Sequence, residues 1–404
     1  MQKVHLDTDL GGDLDDLCAL AMLLCWSPKL ELTGITVVGD TNGRRTGMVR
    51  YVLAVAGRSD IPVAAGAETS QGFYPYELGL PPEERYWPQP ITPSPNPPEE
   101  AVELLKQSIE ADATIIGIGP FTNFYLLDQQ HPGLLARAEL FLMGGYVYPP
   151  RPGFPQWGNQ DDFNVQVDVR SAHHLLQRTT PTLTTLAVTA ETALRRAHLP
   201  RLRQHGDALC ALIAKQAEEF AIDEGMAAKY GASCANVPAD IINFQHDALA
   251  CAVALGWRER VTIEEIPLVV GIEDGWLTAT IDPAGRPVPG VKLITEPSEL
   301  ALPTMMKQGY SHALACGTIA AAGTLGILIP PSIMLIIMAD LMGISVGNLF
   351  SAAIVPGLSL AALYLLFIFF AAKLKPSLAP PLPPEFADAL SLQPQPARGT
   401  ARTA

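Results

Sequence analysis

Five carboxylates, Asp7, Asp9, Asp13, Asp15 and Asp16, fall in the run Leu6-Asp7-Thr8-Asp9-Leu10-Gly11-Gly12-Asp13-Leu14-Asp15-Asp16, directly after a strand-like segment and before an apolar helix starting near Leu17. Negative charges this close repel one another unless a cation binds them. A hard divalent ion such as Ca²⁺ answers the problem, because it takes six to eight oxygens and tolerates bidentate carboxylates. Gly11 and Gly12 let the chain turn tightly enough to aim several of these side chains inward. Asp15 and Asp16 fall where the helix dipole favours anions. An EF-hand loop begun at Asp7 would place Cys18 where its bidentate Glu belongs, so that reading fails. A phosphatase forming an aspartyl phosphate, and a solvated acidic loop with no site, remain as rivals.

The elements that must position these side chains follow an alternating pattern. Strand-like runs at 4–9, 32–39, 61–66, 113–119 and 140–145 alternate with helical stretches at 17–26, 48–57, 121–128 and 170–177. Such alternation predicts an α/β fold with a mostly parallel, Rossmann-like sheet flanked by helices, whose ligands gather at the carboxyl ends of the strands. Residues 72–98, rich in Pro and Tyr, read as a long loop whose rings either stack on a ligand or pack on themselves. His173-His174 reads as a helix surface without a partner, and the six scattered cysteines as buried free thiols.

Charge separates the chain into two kinds of material. The whole carries 27 basic and 41 acidic side chains, yet beyond residue 300 only Lys307, Lys373, Lys375, Arg398 and Arg402 oppose Asp340, Glu385 and Asp388. An acidic N-terminal portion is a poor match to a phosphate backbone, so nucleic acid is not the expected partner. Residues 312–339 and 344–372 contain no Asp, Glu, Lys or Arg. Each exceeds the roughly 20 apolar residues that cross a bilayer, and Pro330-Pro331 interrupts the first, so a C-terminal membrane-type helical segment, spanning or re-entrant, is expected. The expected domains are 1–297, 298–378 and a disordered Pro-rich tail at 379–404. The N-terminus shows no export signal, which points to a cytoplasmic domain, tethered to the inner membrane if 312–372 inserts.

Asp7-Thr8-Asp9, Gly11 and Asp15-Asp16-Leu17-Cys18-Ala19-Leu20 resemble the signature of the inosine-uridine type of nucleoside hydrolases, calcium enzymes that cleave the N-glycosidic bond of nucleosides. The first loop is two residues longer than the commoner form, leaving Asp13 without a counterpart. The similarity continues through Gly39-Asp40, Gly119-Pro120-Phe121-Thr122-Asn123, Met143-Gly144-Gly145, Asp162-Phe163-Asn164 and His246-Asp247, with Asp40 and Asp162 standing where the family usually has Asn and Glu. The resemblance implies a calcium site made by Asp9, Asp16, the Thr122 carbonyl and Asp247. It implies ribose contacts from Asp15, Asp40, Asn159, Asp162 and Asn164, Asp9 as the base that takes a proton from water, and His246 as the acid near the leaving base, its ordinary pKa lying close to neutrality. Residues 300–378, with Gly317-Thr318, Pro330-Pro331-Ser332 and Pro356-Gly357, resemble part of the large membrane subunit of TRAP-type carboxylate transporters, without the second repeat that a transport site needs. The expected substrate is a small nucleoside, with homo-oligomers left open. The competing readings are a membrane transport component with a nucleoside- or ribose-binding domain, and an inactive remnant.

Overall fold

The computed structural model describes residues 2–26, 30–71, 79–258, 261–281, the strand at 291–295 and a few isolated helical positions between 359 and 373. The chain divides into two units, Met1–Glu296 and Pro297–Ala404. Strands of the first unit are β1 (Gln2–Thr8), β2 (Leu30–Val37), β3 (Val63–Ala65), β4 (Thr114–Gly117), β5 (Leu140–Met143), β6 (Thr182–Thr184), β7 (Ala193–Arg195), β8 (Ile241–Phe244), β9 (Thr262–Ile266), β10 (Leu268–Glu273), β11 (Trp276–Ile281) and β12 (Val291–Thr295). Its helices are α1 (Asp15–Cys25), α2 (Arg44–Val55), α3 (Glu83–Tyr86), α4 (Pro98–Glu110), α5 (Thr122–Gln130), α6 (Phe163–Gln166), α7 (Val169–Arg178), α8 (Leu186–Thr189), α9 (Leu199–His205), α10 (Ala208–Asp223) and α11 (His246–Ala254).

Eight strands form one sheet in the order β3-β2-β1-β4-β5-β6-β12-β9, parallel throughout except where β9 runs against β12. The mostly parallel sheet flanked by helices is thus present. Strand order reverses at β1, which pairs with β2 on one side and β4 on the other. The crevice above such a switch point is where open α/β sheets bind ligands.

Alternation along the strands feeds two apolar layers, because successive side chains point to opposite faces. Val4, Leu6, Ile116, Phe141 and Met143 join one core with Leu17 and Leu20 of α1, Val49 of α2 and Val253 of α11. Ile115, Leu140 and Leu142 join the other with Leu105 of α4, Phe124 of α5 and Leu175 of α7. Gly117 is required by that second layer, since a Cβ there would lie 2.6 Å from the Phe124 ring.

His5 and Asp7, on the other face of β1, are polar and fully buried. His5 lies between Ser108 Oγ at 2.8 Å and Thr36 Oγ1 at 3.0 Å, and the Thr36 hydroxyl donates to Asp7 Oδ2 at 2.5 Å. Because the Thr36 proton goes to Asp7, His5 Nε2–H donates to Thr36 and His5 Nδ1 accepts from Ser108. Asn123 Nδ2 adds a bond to the same Asp7 oxygen at 2.7 Å, whereas Asp7 Oδ1 has no partner.

Two expectations change. The loop at 72–98 contains α3, and Tyr86 and Trp87 are buried, Trp87 edge-on to Tyr51 at 5.7 Å, so these rings belong to the core; Phe73, Tyr74 and Tyr76 lie outside the described residues. The described cysteines are free, yet only Cys251 is buried and Cys25 is exposed. No helix among the described residues is long and apolar enough to cross a membrane; the stretches 312–339 and 344–372 and the tail at 379–404 lie outside them, apart from isolated positions.

Burial pushes the His5 pKa down to about 3. The folded protein therefore keeps this ring neutral while the unfolded chain takes up a proton below pH 6.5, so stability falls as the pH drops from 6.5 towards 3. Urea denaturation at pH 7.5, 6.5, 5.5 and 4.5 should show His5→Gln losing about 1.4 kcal/mol per pH unit less than the wild type below pH 6.5. Parallel pH profiles for the two proteins would contradict this account.

Candidate active site

At the top of β1, Thr8 points to the α1 face and its hydroxyl donates to Asp16 Oδ1, while the same oxygen accepts the Leu10 amide at 3.1 Å. Asp15 and Asp16 occupy the first turn of α1, and Asp247 the first turn of α11. The Asp247 amide donates to Asp15 Oδ2 at 3.3 Å, so two helix N-termini converge on one point. Ligand oxygens of Asp15, Asp16 and Asp247 all lie within 4.8 Å of one another, and none of the three residues is more than 4% exposed. Burial, then mutual repulsion, raises all three carboxyl pKa values well above the ordinary range; Asp13 and Asp16 act on Asp15, Asp9 on Asp16, and Asp15 and Asp16 on Asp247.

Arg45, the second residue of α2, is the cation that faces this cluster. Its Nε donates to the Gly39 carbonyl at 3.0 Å and its Nη1 to the Asp9 carbonyl. Burial raises the Asp9 pKa, and the Arg45 charge opposes that rise. Asp9 itself fits only because residue 119 is glycine, since a Cβ there would stand 2.8 Å from Asp9 Oδ1.

A cleft of about 450 Å³ opens over these groups. Of the residues expected at the site, Asp9, Asp15, Asp16, Asn164, His246 and Asp247 line it. Asn164 Nδ2 donates to the carbonyls of Ile118 at 2.9 Å and Met143 at 3.3 Å, tying the ends of β4 and β5 together. The other four are placed elsewhere. Asp40 caps α2, accepting Arg45 N at 2.7 Å and both Thr46 N and Thr46 Oγ1, at 2.9 and 2.5 Å. Asp162 caps α6 through Val165 N and accepts the Gly145 amide at 2.5 Å, and burial lifts its pKa to about 6. Asn159 donates to the Leu277 carbonyl of β11 at 2.6 Å and borders a separate cavity. Thr122 donates to Asp168 Oδ2 at 2.5 Å and borders another, so the residue of its loop that lines the cleft is Ile118.

His246 departs from its expected charge state. Its Nδ1 lies 2.6 Å from Thr189 Oγ1, and that hydroxyl donates to the Leu186 carbonyl at 3.0 Å. Nδ1 therefore carries the hydrogen and Nε2 presents a lone pair. The ring packs beside Trp157 and Phe244, each 5.8 Å away and in contact with one another, and burial lowers its pKa to about 4, so it is neutral at pH 7. His174 differs from expectation too, since its Nε2 pairs with Asp128 of α5 at 2.7 Å.

Several lining residues went unrecognised in the sequence: Arg45, Ile118, Phe220, Glu224 and Met226. Arg45 is indistinguishable in sequence from neighbouring Arg44, which pairs at the surface with Glu83. Ile118 can offer only its main chain to chemistry. The α10 residues carry no motif beyond helical periodicity.

The chain matches the family model described as inosine-uridine preferring nucleoside hydrolase over residues 4–296. A second model, the DctM component of tripartite ATP-independent periplasmic transporters, matches residues 297–394. Among curated relatives, the pyrimidine-specific ribonucleoside hydrolase RihA of Salmonella arizonae is 30% identical over 235 residues, covering 54% of this chain and 70% of the relative. The Klebsiella pneumoniae RihA is 30% identical over 236 residues, with the same coverage. Among solved structures, the purine-preferring ribonucleoside hydrolase from Gardnerella vaginalis superposes with a TM-score of 0.57 at 21% identity, covering 72% of this chain and 93% of that one. A plant nucleoside hydrolase superposes with a TM-score of 0.54 at 19% identity, covering 73% and 94%. With an acid-lined cleft at the switch point and a family match over nearly all of the first unit, the chain belongs to the inosine-uridine preferring nucleoside hydrolases.

Proposed function

We propose that residues 1–297 hydrolyse the N-glycosidic bond of ribonucleosides to ribose and free base, with Ca²⁺ as the resident ion. The observation that carries the reading is the convergence of Asp15, Asp16 and Asp247 in one buried cluster within the cleft. Their oxygens form the donor set that a hard divalent cation takes, and without a cation carboxyls so close and so buried have to take up protons. Asp9 and Ile118 border the same cleft, and the Ile118 carbonyl, which accepts from Asn164 Nδ2, takes the role first assigned to Thr122 in this reading. When bound, the ion supplies the charge that lowers the pKa of water and fixes the ribose hydroxyls.

The chain's own groups do the remainder. Asp9, partly exposed and charge-balanced by Arg45, takes the proton from the attacking water. The acid-rich lining favours the positive charge that develops on the sugar as the bond to the base lengthens. Asn164 offers its amide oxygen to a ribose hydroxyl while its amide nitrogen stays bound to Ile118 and Met143. Asp40 and Asp162 act on the sugar through the segments that they cap, and Asn159 through its tie to β11. His246 passes a proton to the departing base only after taking one at Nε2, since its resting form is neutral. Like-charge repulsion within the lining favours uncharged nucleosides over nucleotides.

Residues 298–378 form a membrane-associated domain in this reading, supported by the two uncharged stretches and by the transporter match over 297–394. A nucleosidase tethered at the cytoplasmic face of the inner membrane is the resulting arrangement.

A reducing-sugar assay over common ribonucleosides should give release that stops with EDTA and returns with Ca²⁺. Asp9→Ala should lower the rate by roughly 10²–10⁴-fold. Folded, calcium-loaded protein that frees no sugar from any nucleoside would refute the enzymatic reading.

A further inference from the structure

Besides Asp161, whose Oδ2 accepts the Gly158 amide at 2.7 Å, two carboxylates in the cleft have no part in the ion cluster or the sugar chemistry: Asp13, in the loop between β1 and α1, and Glu224, just beyond α10. Asp13 Oδ1 accepts the Leu14 amide at 2.5 Å and Asn243 Nδ2 at 2.6 Å, and Asn243 Oδ1 accepts Gln245 Nε2 at 2.5 Å. The second Asp13 oxygen carries no hydrogen bond. Glu224 Oε2 accepts from Lys229 Nζ at 3.0 Å, and its other oxygen likewise carries none.

The two acids come from different elements and lie close enough for Glu224 to act on Asp13 electrostatically. Asp13 also faces Asp9 and Asp15, which places it between the ion cluster and the α10 side of the cleft. That side is apolar, with Phe220 and Met226 bracketing Glu224 in sequence and Phe163 lining the same cleft. Apolar surfaces edged by groups that only accept hydrogen bonds suit a planar heterocycle with N–H donors on its rim. An exocyclic amino group has two N–H bonds, one for each acid, whereas an oxo base offers its single ring N–H to one acid and turns a carbonyl lone pair on the other.

We propose that Asp13 and Glu224 read the edge of the leaving base and select bases that carry an exocyclic amino group over their oxo counterparts. The inference rests on the hydrolase reading and assigns the two-residue extension of the first loop to substrate choice.

Cytidine with uridine, and adenosine with inosine, form pairs that exchange an amino group beside a ring-nitrogen acceptor for an oxo group beside a ring N–H, so the ratio of their kcat/KM values reads how the enzyme meets that edge. The ratio also cancels the fraction of folded enzyme. Calcium-loaded full-length protein should favour the amino member of at least one pair by about tenfold or more. Asp13→Asn and Glu224→Gln, which replace a pure acceptor with a group that also donates, should each bring the ratio towards unity. A wild type that favours the oxo members, or ratios unmoved in both variants, would overturn the proposal while leaving the hydrolase reading intact. Release of sugar from none of the four substrates would overturn both.

Discussion

Three carboxylates held within 4.8 Å of one another at the base of a cleft impose more on this fold than any apolar contact does. Buried anions without compensation cost several kcal/mol each, so the chain has to surround them with positive potential. The first turns of α1 and α11 contribute their amide ends, the Thr8 hydroxyl donates to Asp16, and Arg45 brings a full charge. These sources lie far apart in sequence. They meet only because β1 occupies the centre of the sheet, with α1 and α11 packed together on one face and α2 arriving from the β2 side. A bound cation completes the compensation, which makes folding of this region and ion binding two aspects of one balance.

The opposite face of β1 answers a different need. Asp9 can be aimed only if the strand end below it is fixed, and the buried polar line Ser108, His5, Thr36, Asp7, Asn123 supplies that fixity from α4, β2 and α5. Polar residues so deep in a sheet are costly unless each finds a partner, and apart from Asp7 Oδ1 these do. Period-two alternation thus divides the strand's work: Val4 and Leu6 bury apolar surface towards α1, while His5 and Asp7 lock the register towards α4 and α5.

How much of this could be read from the residues themselves depended on whether chemistry or geometry decides. Asp16 and Asp247 were expected in one ion site, Asp16 from the crowding of carboxylates after β1 and Asp247 from the family resemblance, whereas Asp15, expected at the ribose, lies in the same cluster. Asp40 and Asp162 carry the same functional group, yet both accept helix-end amides. Capping and ligation use identical oxygens, so composition cannot separate them; only the distance to other acids does. Arg45 and Arg44 show the same limit for cations, one buried against Gly39 and Asp9, the other at the surface with Glu83. The α10 wall was illegible for another reason, since it reaches the cleft through tertiary packing and carries no local motif.

His246 shows where an ordinary pKa misleads. The ring packs on Trp157 and Phe244, and Thr189 has already given its proton to Leu186, so the imidazole must donate at Nδ1 and wait as an acceptor at Nε2. Burial against these rings destabilises the imidazolium, yet the acidic lining a few residues away attracts it. The first effect governs the resting protein. In the proposed reaction the departing base gains negative charge, which would make a proton on Nε2 more favourable than at rest. The same aromatic contacts that keep His246 neutral would keep its proton affinity low enough to release that proton to the base.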